Sequence, residues 1–143
     1  MSTRPFFKPQ IVVPATAANM ATPGPIVSSA TICQNYSLVS YDISWTSSSG
    51  APRGTFTIEA SNTFDLNGNG QPGTGTNGAP AGTWTAIGFW DGASEVASKA
   101  ISAGDSGSAF LQVVGFAGYA IRLRYTFTSG TGTLTATVAG KAS

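Results

Sequence analysis

The sequence contains no histidine. That removes the side chain whose charge changes near neutral pH, and with it the commonest general base and metal ligand. Cysteine occurs once, as Cys33, so an internal disulfide framework is excluded. At the end of a strand-like run this thiol reads as buried and inert. Charge is scarce as well: 9% of residues are charged, seven basic against six acidic, for a net charge of +1. So few charges build neither a basic nucleic-acid surface nor an acidic tail. No apolar run approaches the ~18 residues of a membrane span, and prolines interrupt the N-terminal segment before the apolar core of a signal peptide can form. The expectation is therefore no cofactor, no metal, no nucleic acid and no membrane. A chain of 143 residues fits one domain that buries roughly 70% of its unfolded surface. A surface with net charge near zero associates readily, so a subunit of a larger assembly is expected.

What is present is alternation. Tyr119, Ile121, Leu123, Tyr125 and Phe127 fall on one face of an extended segment, and Arg122, Arg124, Thr126 and Thr128 on the other. That period of two marks a half-buried strand. Beyond a glycine-bearing stretch, Leu134, Ala136 and Val138 alternate with Thr133, Thr135 and Thr137. The two apolar sets have opposite parity. A hairpin closed by Gly130-Thr131 reconciles them, because glycine suits the first position of a type II′ turn. It would pair Phe127 with Leu134, Tyr125 with Ala136 and Leu123 with Val138. A loop of Thr131-Gly132 also satisfies the parity but puts threonine where positive φ is wanted.

Residues 1–25 hold five of the eight prolines, which fix their own φ, remove donors and bias the preceding residue toward extended geometry. Yet Phe6, Phe7, Ile11, Val12 and Val13 are too apolar for an ordinary solvated linker. Two readings stand: an extended arm docking on a neighbour, or an edge strand of the same domain, where proline is tolerated. The division adopted is an arm over 1–25 and a β-domain over 26–143. Within that domain, strands are expected at Ile26–Cys33, Val39–Thr46, Thr55–Ser61, Thr83–Phe89, Ser94–Ile101 and Ser108–Gly115, with turns at Ser47–Pro52 and Asp91-Gly92. A direct pairing of Trp45 with Phe56 would oppose Asp42 and Glu59, so a slipped register or separate sheets is favoured. About eight short strands with turn signals between them predict an all-β, single antiparallel β-sandwich, jelly-roll-like, with an extended N-terminal arm.

Motifs of chemistry are weak. Gly104-Asp105-Ser106-Gly107 resembles the nucleophile region of chymotrypsin-like proteases, but its serine would need a base that the chain lacks; a turn is the sound reading. Asp65 to Gly70 matches the first half of a calcium loop, yet Thr76 stands where a bidentate glutamate is required. Overlapping G-x-G-x-x-G matches between Gly68 and Gly78 precede no helix and carry nothing. Asp91 and Glu95 lie close to Trp84, Phe89 and Trp90, a grouping that would suit a sugar platform if the indoles were exposed. The alternative puts Trp84 in the core and makes Trp90 a loop anchor. Arg122 and Arg124 leave the apolar face of their strand and are candidates for carboxylate pairing or subunit contact.

GTFTIEASNT (54–63), GTWTAI (82–87) and GYAIRLRYTFTSGTGTLTATVAGKAS (118–143) together resemble a recurrent β-sandwich module in virion proteins of tailed bacteriophages. The likeness covers residues 39–143 and leaves the proline-rich arm outside. It implies a structural, non-enzymatic role such as head decoration, head-fibre attachment or a tail component, located in a virion assembled in the host cytoplasm. Its implied partners are other virion proteins, major capsid or tail subunits, and further copies of itself, a trimer suiting a decoration subunit. It carries over no functional residue, since the matched positions are architectural. Interface candidates are then Phe6, Phe7, Ile11, Val12, Val13, Arg122 and Arg124. The rival expectation is a carbohydrate- or receptor-binding module using the loops at 84–91 and 65–82.

Overall fold

Two long strands set the frame. A computed structural model of the chain describes residues 6–13, 19–21, 25–33, 36–63 and 82–142, with the backbone alone at positions 6–8, 13 and 49. Ten strands occur in this order: β1 (Phe6–Val13), β2 (Ile26–Val27), β3 (Thr31–Ile32), β4 (Leu38–Ser61), β5 (Thr85–Ile87), β6 (Phe89–Trp90), β7 (Glu95–Val96), β8 (Lys99–Ala100), β9 (Gly107–Val114) and β10 (Ala120–Lys141). They form one antiparallel sheet in the order β1-β10-β4-β9-β6-β7, with β2 and β3 added on β10 and β5 and β8 added on β4. Among the described residues there is no helix.

β4 and β10, of 24 and 22 residues, pair along their whole lengths, from Ser61 against Ala120 to Leu38 against Lys141. At ~3.3 Å per residue a straight ribbon of that length would run ~75 Å, several times the ~15 Å radius of gyration of a domain this size. The ribbon must bend. Register irregularities between Phe127 and Gly132, opposite the stretch from Ser47 to Arg53, are where it does so. Bulges of this kind turn a strand and change which face its side chains reach. In β10, Ile121, Leu123 and Tyr125 are buried before the bend and Leu134, Ala136 and Val138 after it. β4 changes phase in the same place, from Tyr41 and Ile43 to Phe56 and Ile58. Both halves therefore feed one apolar core, joined by Leu111 and Val113 of β9 and Phe89 of β6. Gly130 makes the bend possible: its φ is +83°, and a Cβ there would collide with the carbonyl of Ala51.

The expected terminal hairpin is corrected by this arrangement. Phe127 stands opposite Gly54 and Leu134 opposite Trp45, not opposite each other. A hairpin turn and a bulge produce the same parity change, and glycine serves both. Neither the slipped pairing nor the separate sheets expected for the two segments occurs: both lie in β4 of the one sheet, where Asp42 faces Thr137 and Glu59 faces Arg122. The all-β, antiparallel class holds, but as one curled sheet, of ten strands among the described residues, and not as the expected sandwich of about eight.

Residues 6–13 belong to that sheet. β1 pairs with β10 from Phe6 against Lys141 to Val13 against Ala136, with register shifts on either side of the Gln10–Ile11 pairs. Val12 is 6% exposed and joins the core, and its carbonyl accepts from Ser29 N at 3.2 Å. Met20 is fully buried, and its amide donates to Gly132 O at 2.9 Å. Over these residues the free arm is corrected to the edge-strand reading. The apolar side chains that set the segment apart from a linker are in part core residues of its own domain.

Candidate functional site

The outer side of the curl carries two different chemistries. On the second half of the ribbon, Arg122 Nε donates to Glu59 Oε1 at 2.8 Å, and Arg124 Nη1 lies 3.9 Å from Glu59 Oε2. The Arg122 guanidinium sits 4.3 Å from the ring centroid of Trp84, a cation–π arrangement. Arg122 is only 7% exposed. It fastens the segment leading into β5 onto the sheet, so its part is carboxylate pairing within the chain. Arg124, with its side chain 37% exposed, is the member of the pair that solvent reaches. Trp84 is half-buried over this ion pair and is not a core residue in the expected sense.

The expected turn at Asp91-Gly92 joins β6 to β7. Asp91 Oδ1 accepts from the amides of Ala93 and Ser94, both at 2.9 Å, and Gly92 takes φ +99°. Lys99 Nζ lies 3.3 Å from Asp91 Oδ2. The Ser94 amide, then that of Ala93, hold the Asp91 carboxyl below its ordinary value, and Lys99 adds to this. The turn fixes Trp90 opposite Glu95 of β7, and on its other side Trp90 pairs with Gln112 of β9. Cross-strand partners share a face of the sheet. Glu95, Trp90 and Gln112 thus form a row on the outside, while Phe89 points into the core. Trp90 is 42% exposed, the condition on which the sugar-platform reading depended. Its row borders a depression of about 380 Å³ that Gly88 and Val114 also line. A second depression, of about 540 Å³, shares Gly88 and Val114 with the first and continues past Thr83 and Thr85 toward Asn62.

The remaining outer face, over the first half of the ribbon, is nearly uncharged. Register aligns Ile11 of β1, Thr137 of β10, Asp42 of β4 and Phe110 of β9 in one row. Ile11 is 66% exposed and Phe110 is 50% exposed, with Val114 at 74% further along β9. Of the interface candidates, then, Ile11 faces outward, Val12 faces the core, and Arg122 and Arg124 share Glu59. The side chains of Phe6, Phe7 and Val13 lie outside what the structure describes, as do the loop at 64–81 and the calcium-like stretch within it. Phe110, Gln112 and Val114 went unnoticed in the sequence. The available signal was the run Ala109 to Val114, in which Phe110 and Val114 put large apolar residues on the second face as well, where an ordinary half-buried strand is apolar on one.

Other chemistry is limited. Among the described residues no group of three or more histidine, cysteine, aspartate or glutamate side chains is placed to hold a metal. Cys33 is buried and free, and burial pushes its thiol up to about 12, in line with the inert thiol expected. Asp105 and Ser106 sit in an exposed bend whose serine hydroxyl accepts from Ser47 N at 3.1 Å.

No protein-family model matches the chain, and no curated protein matches it significantly. Among solved structures it is similar to the crystal structure of SPBc2 prophage-derived protein YomS, with 10% sequence identity over 98% of this chain and 97% of that one and a TM-score of 0.56. At that identity the likeness is one of fold.

Proposed function

We propose that the chain is a non-enzymatic structural subunit of a bacteriophage particle, of the head-decorating or head-associated kind, that binds neighbouring virion subunits and further copies of itself through the outer face of its sheet. The observation that carries this reading is the row Ile11–Thr137–Asp42–Phe110, whose ends are exposed large apolar residues and whose middle is small and polar. The exposed apolar ends favour burial against another protein, charge is sparse around them as at the centre of an interface, and Asp42 between them calls for a donor on the partner. β1 ends the strand order, so among the described residues the part of its outer edge before Val12, whose carbonyl Ser29 occupies, offers a place for strand addition by a neighbour, with Pro9 restricting where pairing can occur. Similarity in fold to a prophage-derived protein over nearly the whole of both chains supports the same reading.

Removing residues 2–20 does not test it, because Val12 and Met20 would leave the core. Ile11→Glu and Phe110→Glu do, since both side chains are exposed. Each variant is expected to stay folded by circular dichroism and to be missing from density-purified particles of producing cells. Incorporation of both at the wild-type level would sink the proposal.

A further inference from the structure

We infer that the two adjoining depressions beside β6 form one groove that binds a neutral oligosaccharide chain, with one ring stacked on Trp90 and its hydroxyls held by Glu95 and Gln112. An indole 42% exposed on a two-residue strand contributes less to the fold than it would in the core, and its flat apolar face complements the C–H face of a pyranose. Glu95 and Gln112 flank it as its cross-strand partners, one strand spacing to either side, about 4.8 Å away. Neither side chain has a hydrogen-bond partner among the described residues. A carboxylate accepts, and a carboxamide both donates and accepts; a ring carrying several hydroxyls satisfies both at once.

The groove's second part extends the argument from a ring to a chain. Past Gly88 the lining adds the hydroxyls of Thr83 and Thr85 and the side-chain amide of Asn62 to apolar Ile87, Val113 and Phe116. Each part, at about 380 and about 540 Å³, is within the ~300–1,000 Å³ of small-molecule sites, so together they suit an elongated ligand. Gly88 lies where the parts meet, and a Cβ added there would come within 3.3 Å of Glu95 Oε1. Among the described residues, Glu95 is the one ionisable side chain lining either part. With no cation to meet a phosphate or carboxylate, the lining selects a neutral ligand over a nucleic acid or an acidic glycan.

The test is a printed array of neutral and anionic glycans probed with the labelled full chain, followed by titration of the best-bound neutral glycan. Trp90→Ala should weaken binding about tenfold or more, Trp90→Phe should restore most of it, and Gln112→Ala should weaken it severalfold. Particle incorporation of the Trp90→Ala variant should match wild type, which separates this site from the subunit contact at Ile11 and Phe110. No neutral glycan bound above the Trp90→Ala background overturns the inference. So does binding confined to anionic glycans, or a Trp90→Ala variant that binds as well as wild type. Loss of Trp90→Ala from particles without any glycan binding would mean that the row is a protein contact.

Discussion

On its inner side the first half of the β4–β10 ribbon presents Val39, Tyr41, Ile43, Leu134, Ala136 and Val138, and the second half presents Phe56, Ile58, Ile121, Leu123 and Tyr125. Both sets are buried in the same core. The outsides differ. Over the second half, two arginines share Glu59 beneath Trp84; over the first, Thr137 and Asp42 lie between exposed Ile11 and Phe110. One outer face is closed by the chain's own charges and an indole, and the other is left bare. Position in the sheet does not account for this, because both halves are flanked by further strands. What separates them is whether the outward positions carry groups that satisfy each other, as Arg122 and Glu59 do, or groups that need nothing from one another.

If the inner faces are one core, Phe56→Ala should cost about 3–5 kcal/mol and loosen both halves together. Hydrogen exchange that accelerated only around residues 54–61 would show two separate cores. If the second outer face is closed by its own ion pair, Glu59→Ala leaves Arg122 buried without that carboxylate and should cost about 2–4 kcal/mol by chemical denaturation. Glu59→Gln, which keeps an acceptor, should cost less; equal losses would remove charge from the explanation. Gly130→Ala should cost about 2 kcal/mol or more, from left-handed geometry alone at ~1–2 kcal/mol plus the collision with Ala51.

Smaller effects concern the bare half and its neighbour. Asp91 has a folded pKa lowered from 3.8, so its contribution is present above that value and is lost as pH falls through the lower folded one. Exchange of the Ala93 and Ser94 amides should therefore speed up only below about pH 4, and unchanged protection at pH 2 would show that the carboxylate does not hold the turn. Smallest of all, Phe110→Ser on the bare face should move stability by no more than ~0.5 kcal/mol. A loss above ~1 kcal/mol would mean that this face is closed within the chain after all.

Much of the inner side could be read in advance. The alternation from Tyr119 to Phe127 and from Leu134 to Val138 assigned the buried residues, because burial on one face of a strand imposes a period of two. Cys33 was legible for a similar reason. The connection between the two runs was not: parity is the same for a hairpin and for a bent strand, and only the distant partner, β4, distinguishes them. Arg122 read as an outward residue, which it is, but its burial depends on Glu59 and Trp84, neither of which is near it in sequence. The candidate groove was half legible. Trp90 and Glu95 stood out as neighbours in sequence, while Gln112 joins them only through the pairing of β6 with β9.

The long ribbon also dictates an order of events during synthesis. β4 finds its principal partner in a segment about 60 to 100 positions later, at the far end of the chain. Contacts of such range fold slowly, because loop closure must precede any gain from pairing. Until β10 has left the ribosome, Val39, Tyr41, Ile43, Phe56 and Ile58 have an uncovered edge beside them, open to the same strand of another nascent copy. A cell that makes this protein in quantity thus holds a population of half-finished sheets, and how long each stays open is set by the time needed to translate residues 62 to 141.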